Sequence, residues 1–403
     1  MSVPRPVRYA VALATIAILS GCSDVVAPVV TKIQQVAARV DNLLTCSNSW
    51  VTATSGNWET ASNWSAGHAP TSTEDACITL EGNYTVYVIG AQVKSLTLSA
   101  PGNVDKPTLQ LYGFTNGPGW PPTDGNLYVT NNIDNYGTII MTNAGAPNPG
   151  GAAITITSTG GKWFNHAGSA LYVRAGTGPG RQINAGIVND GDVGFDISTV
   201  ITTGAFVNNA HFVVGPAANV EMHYVDFTQN SDRFENNGGF SVTGAGFTIN
   251  GGTMSGNAPA LNGGHLTIGD PTVATTLNIA GGETLDGNVG PNQVLNVNAY
   301  MQAGWPPFDA SVQWNSGLQN AGVIRMQSLG GPGEASVTLS APNNGIIVNT
   351  GRIETLGAIA NARTIAANID NRPEGTVDLK TYTTFVGASG TSTNAGIWKL
   401  EST

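Results

Sequence analysis

Two copies of one short phrase carry the residues best suited to hold a ligand. Gly119-Trp120-Pro121-Pro122 is followed by Asp124, and Gly304-Trp305-Pro306-Pro307 by Asp309. Paired prolines fix φ and stiffen a loop, so each indole can project as a plate beside a carboxylate. That pairing suits a sugar, whose apolar face stacks on the ring while its hydroxyls donate to the acid. A scaffold role, with each Trp folded onto the flank of the body, uses the same residues. A second group, Asp190 and Asp192, lies in Asn189-Asp190-Gly191-Asp192. On an extended strand these two carboxylates point to one side, which is the beginning of a Ca2+ site. The run lacks the loop spacing of a calcium motif, and a solvated turn accounts for it more simply.

Catalytic chemistry is thinly represented. Hydrolysis or elimination on a polysaccharide needs paired carboxylates or a basic proton acceptor on one face. Asp226, Asp232 and Glu235 form one loose acidic group, and Asp370, Glu374 and Asp378 another. The Asn-Thr-Asp, Asp-Asp, Gly-His-Gly and Arg-Ile-Lys pattern of polygalacturonase-like enzymes is absent, and His265, after Gly263-Gly264, stands alone. No Ser-His-Asp elbow, phosphate loop or dinucleotide fingerprint is present. With 5 His and 3 Cys, and no C-x-x-C, no transition-metal site is expected. The expectation is a non-catalytic protein without a cofactor, structural or adhesive, whose partner is a cell-surface glycan or protein. The alternative is a polysaccharide lyase or glycoside hydrolase on a parallel β-helix.

The chain opens with a basic segment (Arg5, Arg8) and an apolar run, Val11–Leu19, too short to span a bilayer. Leu19-Ser20-Gly21-Cys22 resembles the bacterial lipobox. The resemblance implies cleavage of a signal peptide (1–21), acylation of Cys22 and anchorage in a membrane through its acyl chains. Ser23 after the Cys fits sorting to the outer membrane. Residues 22–47 then form a lipidated tether. Within it Val30, Ile33, Ala37, Val40 and Leu44 lay one apolar stripe along a short amphipathic helix, 29–44, which either caps the next domain or forms a short coiled coil. In an exported protein Cys46 and Cys77 either form a disulfide or remain buried thiols, and the compartment favours the bridge.

The formal net charge is -10 and only 10% of residues are charged, against about 25% in ordinary proteins. An acidic body poor in Lys and Arg is a poor nucleic-acid binder. Abundant glycine (52 of 403 residues) with Asn and Thr suits short strands joined by tight turns. Residues 56–70, GNWETASNWSAGHAP, followed by strand-like 76–80 and SLTLS (95–99), resemble the opening of bacterial surface proteins with repetitive β-architecture, such as autotransporter-like passengers. The resemblance implies a β-solenoid in which Trp58 and Trp64 close the first coil. The segment 48–100 is accordingly read as capping coils, and 101–403 as the solenoid.

Beyond residue 101 one phrase recurs: an apolar residue, Asn, a small residue or Gly, then an alternating strand. Examples are IDNYGTIIM (133–141), IVNDGDVGF (187–195), FVNNAHFVV (206–214), LQNAGVIRM (318–326) and STNAGIWKL (392–400). The Asn residues lie roughly 19–30 positions apart, the coil length of a parallel β-helix. Asn and Gly accept φ > 0 and so would turn each corner, and Asn side chains of successive coils can stack. The fold class is all-β, a parallel β-helix of about a dozen coils; an array of two β-sandwiches is the less economical alternative. A longer duplication overlies the short repeat. At an offset of 185, Trp120 falls on Trp305, Asn135 on Asn320 and Met141 on Met326, so that about 112–212 and 297–398 are copies set about eight coils apart.

Overall fold

A computed structural model describes residues 46–113, 124–143, 152–156, 160–174, 176, 181–300, 309–314, 318–329, 335–342, 345–356, 363–386 and 390–401. Residues 22–45 of the tether, with Cys22 and the expected helix at 29–44, lie outside these residues, as do Trp120 and Trp305. From Cys46 onward the chain forms one compact unit. It is a stack of coils of short strands in which every named ladder is parallel and each coil visits three faces in turn.

Face I begins with Gly90–Val93 and Gly125–Val129 and ends with Ile397–Leu400. Face II begins with Asn48–Ser49 and Asp75–Ile78 and ends with Thr383–Phe385. Face III carries a nine-stranded sheet from Gly56–Asn57 to Thr253–Gly256. A four-stranded sheet, Leu318–Asn320 to Thr393–Asn394, takes over further along. Faces I and II count as one 28-stranded sheet because the strand Thr275–Gly287 runs across both without a break.

The alternation read from the sequence sets which side chains enter the core. In Thr138–Asn143, Ile139 and Met141 are buried while Thr138 and Ile140 are partly exposed. A single coil cannot enclose its apolar row, and stacking makes the row continuous. Between residues 195 and 247 the core becomes a column of phenylalanines: Phe195, Phe206, Phe212, Phe227, Phe234, Phe240 and Phe247. Ring centroids there lie 5.0–6.4 Å apart, the range of favourable aromatic pairs.

The first coil is closed by three tryptophans. Trp58 and Trp64 are buried, as the sequence implies, and Trp50 joins them. Trp64 meets Trp58 at 4.7 Å and Trp50 at 5.2 Å, both edge-on, and its indole N–H donates to the Trp58 carbonyl (2.7 Å). Cys46 and Cys77 are joined as a disulfide, which ties the start of the body to the face II strand Asp75–Ile78.

The corners differ from expectation in one respect. Gly137, Gly191, Gly322 and Gly351, which follow the repeated Asn, are not in the left-handed region. A Cβ at these positions would lie 2.2–2.5 Å from a backbone oxygen of the preceding coil. Glycine is required there by close approach of coil to coil, not by φ.

The long duplication is also more particular than a copied block. Gly125–Val129, on face I, corresponds to Ala310–Trp314, on face II. Ile133–Asn135, on face II, corresponds to Leu318–Asn320, on face III. Thr138–Asn143, on face III, corresponds to Val323–Leu329, on face I. The second copy is displaced by eight coils and one face.

Candidate functional site

The repeated Asn residues form a buried amide ladder. Asn135 donates to Asn165 (2.7 Å), Asn165 to Asn189 (2.7 Å), Asn189 to Asn208 (2.7 Å) and Asn208 to Gln229 (2.8 Å). The corner after face II carries this ladder. In the second copy Asn320, Asn349, Asn371 and Asn394 form an equivalent one (2.7–2.8 Å) at the corner after face III. These amides are scaffold: up to the last rung, Asn394, the Asn side chains bond the next coil and a nearby backbone group.

Asp190 and Asp192 have different partners. Asp190 and Gly191 form a corner between the strands Gly186–Asn189 and Asp192–Phe195, so the two carboxylates do not share the alternation of one strand. Asp190 heads an outer polar ladder, accepting from Asn209 (2.8 Å), with Asn209–Asn230 (2.8 Å) and Asn230–Asn250 (2.9 Å) beyond it. Asp192 stands 3.4 Å from His211 on the neighbouring coil. Among the described residues no cluster of three or more metal-ligating side chains forms.

The looser acidic groups are likewise engaged locally. Asp226 accepts from the Gly246 amide (2.8 Å) and Glu235 pairs with Arg233 (2.9 Å). Asp370 pairs with Arg372 (2.8 Å), and Asp378 with Arg352 and Lys380. His265 pairs with Asp286 (3.0 Å).

Asp124 and Asp309 are both exposed. Asp124 precedes a face I strand and Asp309 a face II strand, so the structure places them at different corners. The Asp309 carboxylate accepts from the Ser336 amide (2.7 Å). Arg181 and Arg363, unremarked in the sequence, occupy matching places in the two copies and are both buried. Burial lowers the pKa of each. Arg363 donates to the Leu356 carbonyl (2.8 Å), a brace for the backbone rather than a reactive group.

The arrangement with ligand-binding geometry lies on face III, near the tryptophan cap. Asn57, Tyr87 and Gln110 are outward-facing and in register on successive strands, and Tyr112 stands two residues beyond Gln110 on its strand. Together they line a cavity of about 290 Å³. The Tyr87 and Tyr112 rings meet edge to face, 6.1 Å apart with their planes at 88°, so they form two walls at a right angle. Glu59 reaches the same edge. Its Oε1 accepts from the Ile89 and Gly90 amides (3.1 and 3.3 Å), which fixes the carboxylate at the end of the Tyr87 strand. The Tyr112 phenol is pushed above its ordinary pKa by burial first, then by the Glu59 and Tyr87 charges. The site therefore combines two aromatic faces, two amides and one fixed carboxylate. Its sequence signal was the placement of Tyr87 and Tyr112 at outward positions of alternating strands, TVYV and TLQLYG.

Searches of protein-family models, curated proteins and solved structures returned no match to this chain.

Proposed function

We propose that this chain is a non-catalytic, structural or adhesive solenoid, anchored to the outer membrane through acylated Cys22, that binds a cell-surface glycan. The observation that carries the glycan reading is the Tyr87–Tyr112 corner with Asn57 and Gln110 beside it. Aromatic walls stack on the apolar face of a sugar, and amides donate to and accept from its hydroxyls. The non-catalytic reading is supported by the carboxylates described above, which are spent on ladders and ion pairs within the stack.

A glycan-array assay on the full chain, repeated with Tyr87→Ala/Tyr112→Ala, tests this. Each ring removed from a stacking site costs about 0.5–1.5 kcal/mol, so the double variant should weaken binding by roughly tenfold or more while its circular dichroism is unchanged. Binding that survives in the double variant but vanishes in Trp120→Ala/Trp305→Ala would move the site to the Gly-Trp-Pro-Pro loops. Absence of binding to any glycan would refute the reading.

A further inference from the structure

We infer that the face III pocket is selective for an organic ammonium group, so that its ligand is a cationic amine-bearing saccharide rather than a neutral or anionic one. This rests on the pocket being the glycan site proposed above and names the chemistry it selects. Three features of the geometry point the same way.

The two tyrosine rings stand at 88° with centroids 6.1 Å apart. Two perpendicular π-faces form half of an aromatic cage, the arrangement that attracts an ammonium through the ring quadrupoles. Glu59 supplies a full negative charge at the edge of the cage, and it is held there by two backbone amides. Those two bonds use Oε1 alone, so Oε2 is not needed to hold the carboxylate in place. The floor is made of the neutral amides Asn57 and Gln110, and among the described residues no cationic side chain lines the cavity. An anion entering it would face a carboxylate without a compensating charge, a costly placement. The upward shift of the Tyr112 phenol, partly caused by Glu59, reports the same negative field. The formal net charge of -10 extends that preference to the long-range approach of a ligand.

Two sources share this chemistry: a deacetylated amino sugar and a trimethylammonium headgroup displayed on a glycan or lipid. Calorimetric titration of the full chain distinguishes them. The probes are a glucosamine oligomer, its N-acetylated counterpart, a glucose oligomer and phosphocholine, at a pH where the amine is charged. The glucosamine oligomer should bind about tenfold tighter than the N-acetylated one, the scale of one desolvated cation–π contact. Glu59→Gln, which keeps an acceptor oxygen for Ile89 and Gly90, should narrow the preference for the charged oligomer severalfold, the two rings supplying what remains. Tyr87→Leu, which keeps the strand apolar and folded, should weaken the ammonium ligand most.

Equal affinity for charged and acetylated oligomers overturns the inference and leaves the glycan reading standing. A preference unchanged in both Glu59→Gln and Tyr87→Leu also overturns it. Binding of phosphocholine alone upholds the ammonium selectivity and refutes the saccharide reading. Failure of all four probes refutes both.

Discussion

Glu283 gives the sharpest physical test of this structure. It lies in the strand that crosses from face I to face II, and its carboxyl is buried. Burial pushes its pKa from 4.5 up to about 7, against the opposing pull of hydrogen bonds from the Gly264 and Gly263 amides. The native state therefore holds the proton more tightly than the unfolded chain. Stability from this group is fully present below pH 4.5 and falls as pH rises towards 7, where it levels off. At about 1.4 kcal/mol per pKa unit, the loss across that window is about 3.5 kcal/mol. Glu283→Gln removes the titration while keeping nearly the same shape. The assay is native-state hydrogen exchange of the Leu266 and Leu285 amides in wild type and variant, corrected for intrinsic rates. Below pH 4.5 the two proteins should be protected alike, apart from a constant offset. Above pH 7 the wild type should be less protected relative to the variant by about three hundredfold, the equivalent of about 3.5 kcal/mol. A difference that does not change with pH would refute the reasoning, because it would mean that the buried carboxyl titrates as it does in water.

Three other outcomes follow from the packing. Asn165→Ala should destabilise the body by about 3 kcal/mol or more, because Asn135, Asn189 and Ser169 each lose a buried partner; urea unfolding followed by circular dichroism measures it. Phe227→Ala, at the centre of the phenylalanine column, should cost about 3–5 kcal/mol by the same assay, and exposed Phe385→Ala far less. Cys46→Ser/Cys77→Ser should lower stability by about 3–4 kcal/mol, the loop-closure value for a separation of 31 residues. Reducing agent should lower the melting temperature of the wild type and leave that variant unchanged.

Much of the scaffold was legible because it depends on local pattern. The Asn phrases mark corners whatever the length of the loops between them, and two-residue alternation sorts inward from outward side chains without knowledge of the neighbours. Trp58 and Trp64 could be assigned to a cap because large apolar plates in a Gly-rich opening need somewhere to be buried. The ligand pocket was not legible in this way. Tyr87 and Tyr112 come from different coils, and Glu59 from an earlier one. Their meeting depends on register, and register depends on coils whose ladder partners are separated by anything from 19 to 30 residues. At Asp190 and Asp192 the solvated turn was the simpler reading of the sequence, and Asp190 and Gly191 do turn a corner between two strands. Glu283 gave no sign of burial, since nothing in TTLNIAGGETLDG distinguishes it from a solvent-facing acid.

The displacement of the second copy by one face has a consequence for symmetry. A copy shifted by whole coils alone would repeat the same surface along one side of the stack. Here the equivalent residues Asp124 and Asp309 precede strands on different faces, so no single side of the stack presents both copies. A flat partner that recognised the repeated residues would meet one copy at a time.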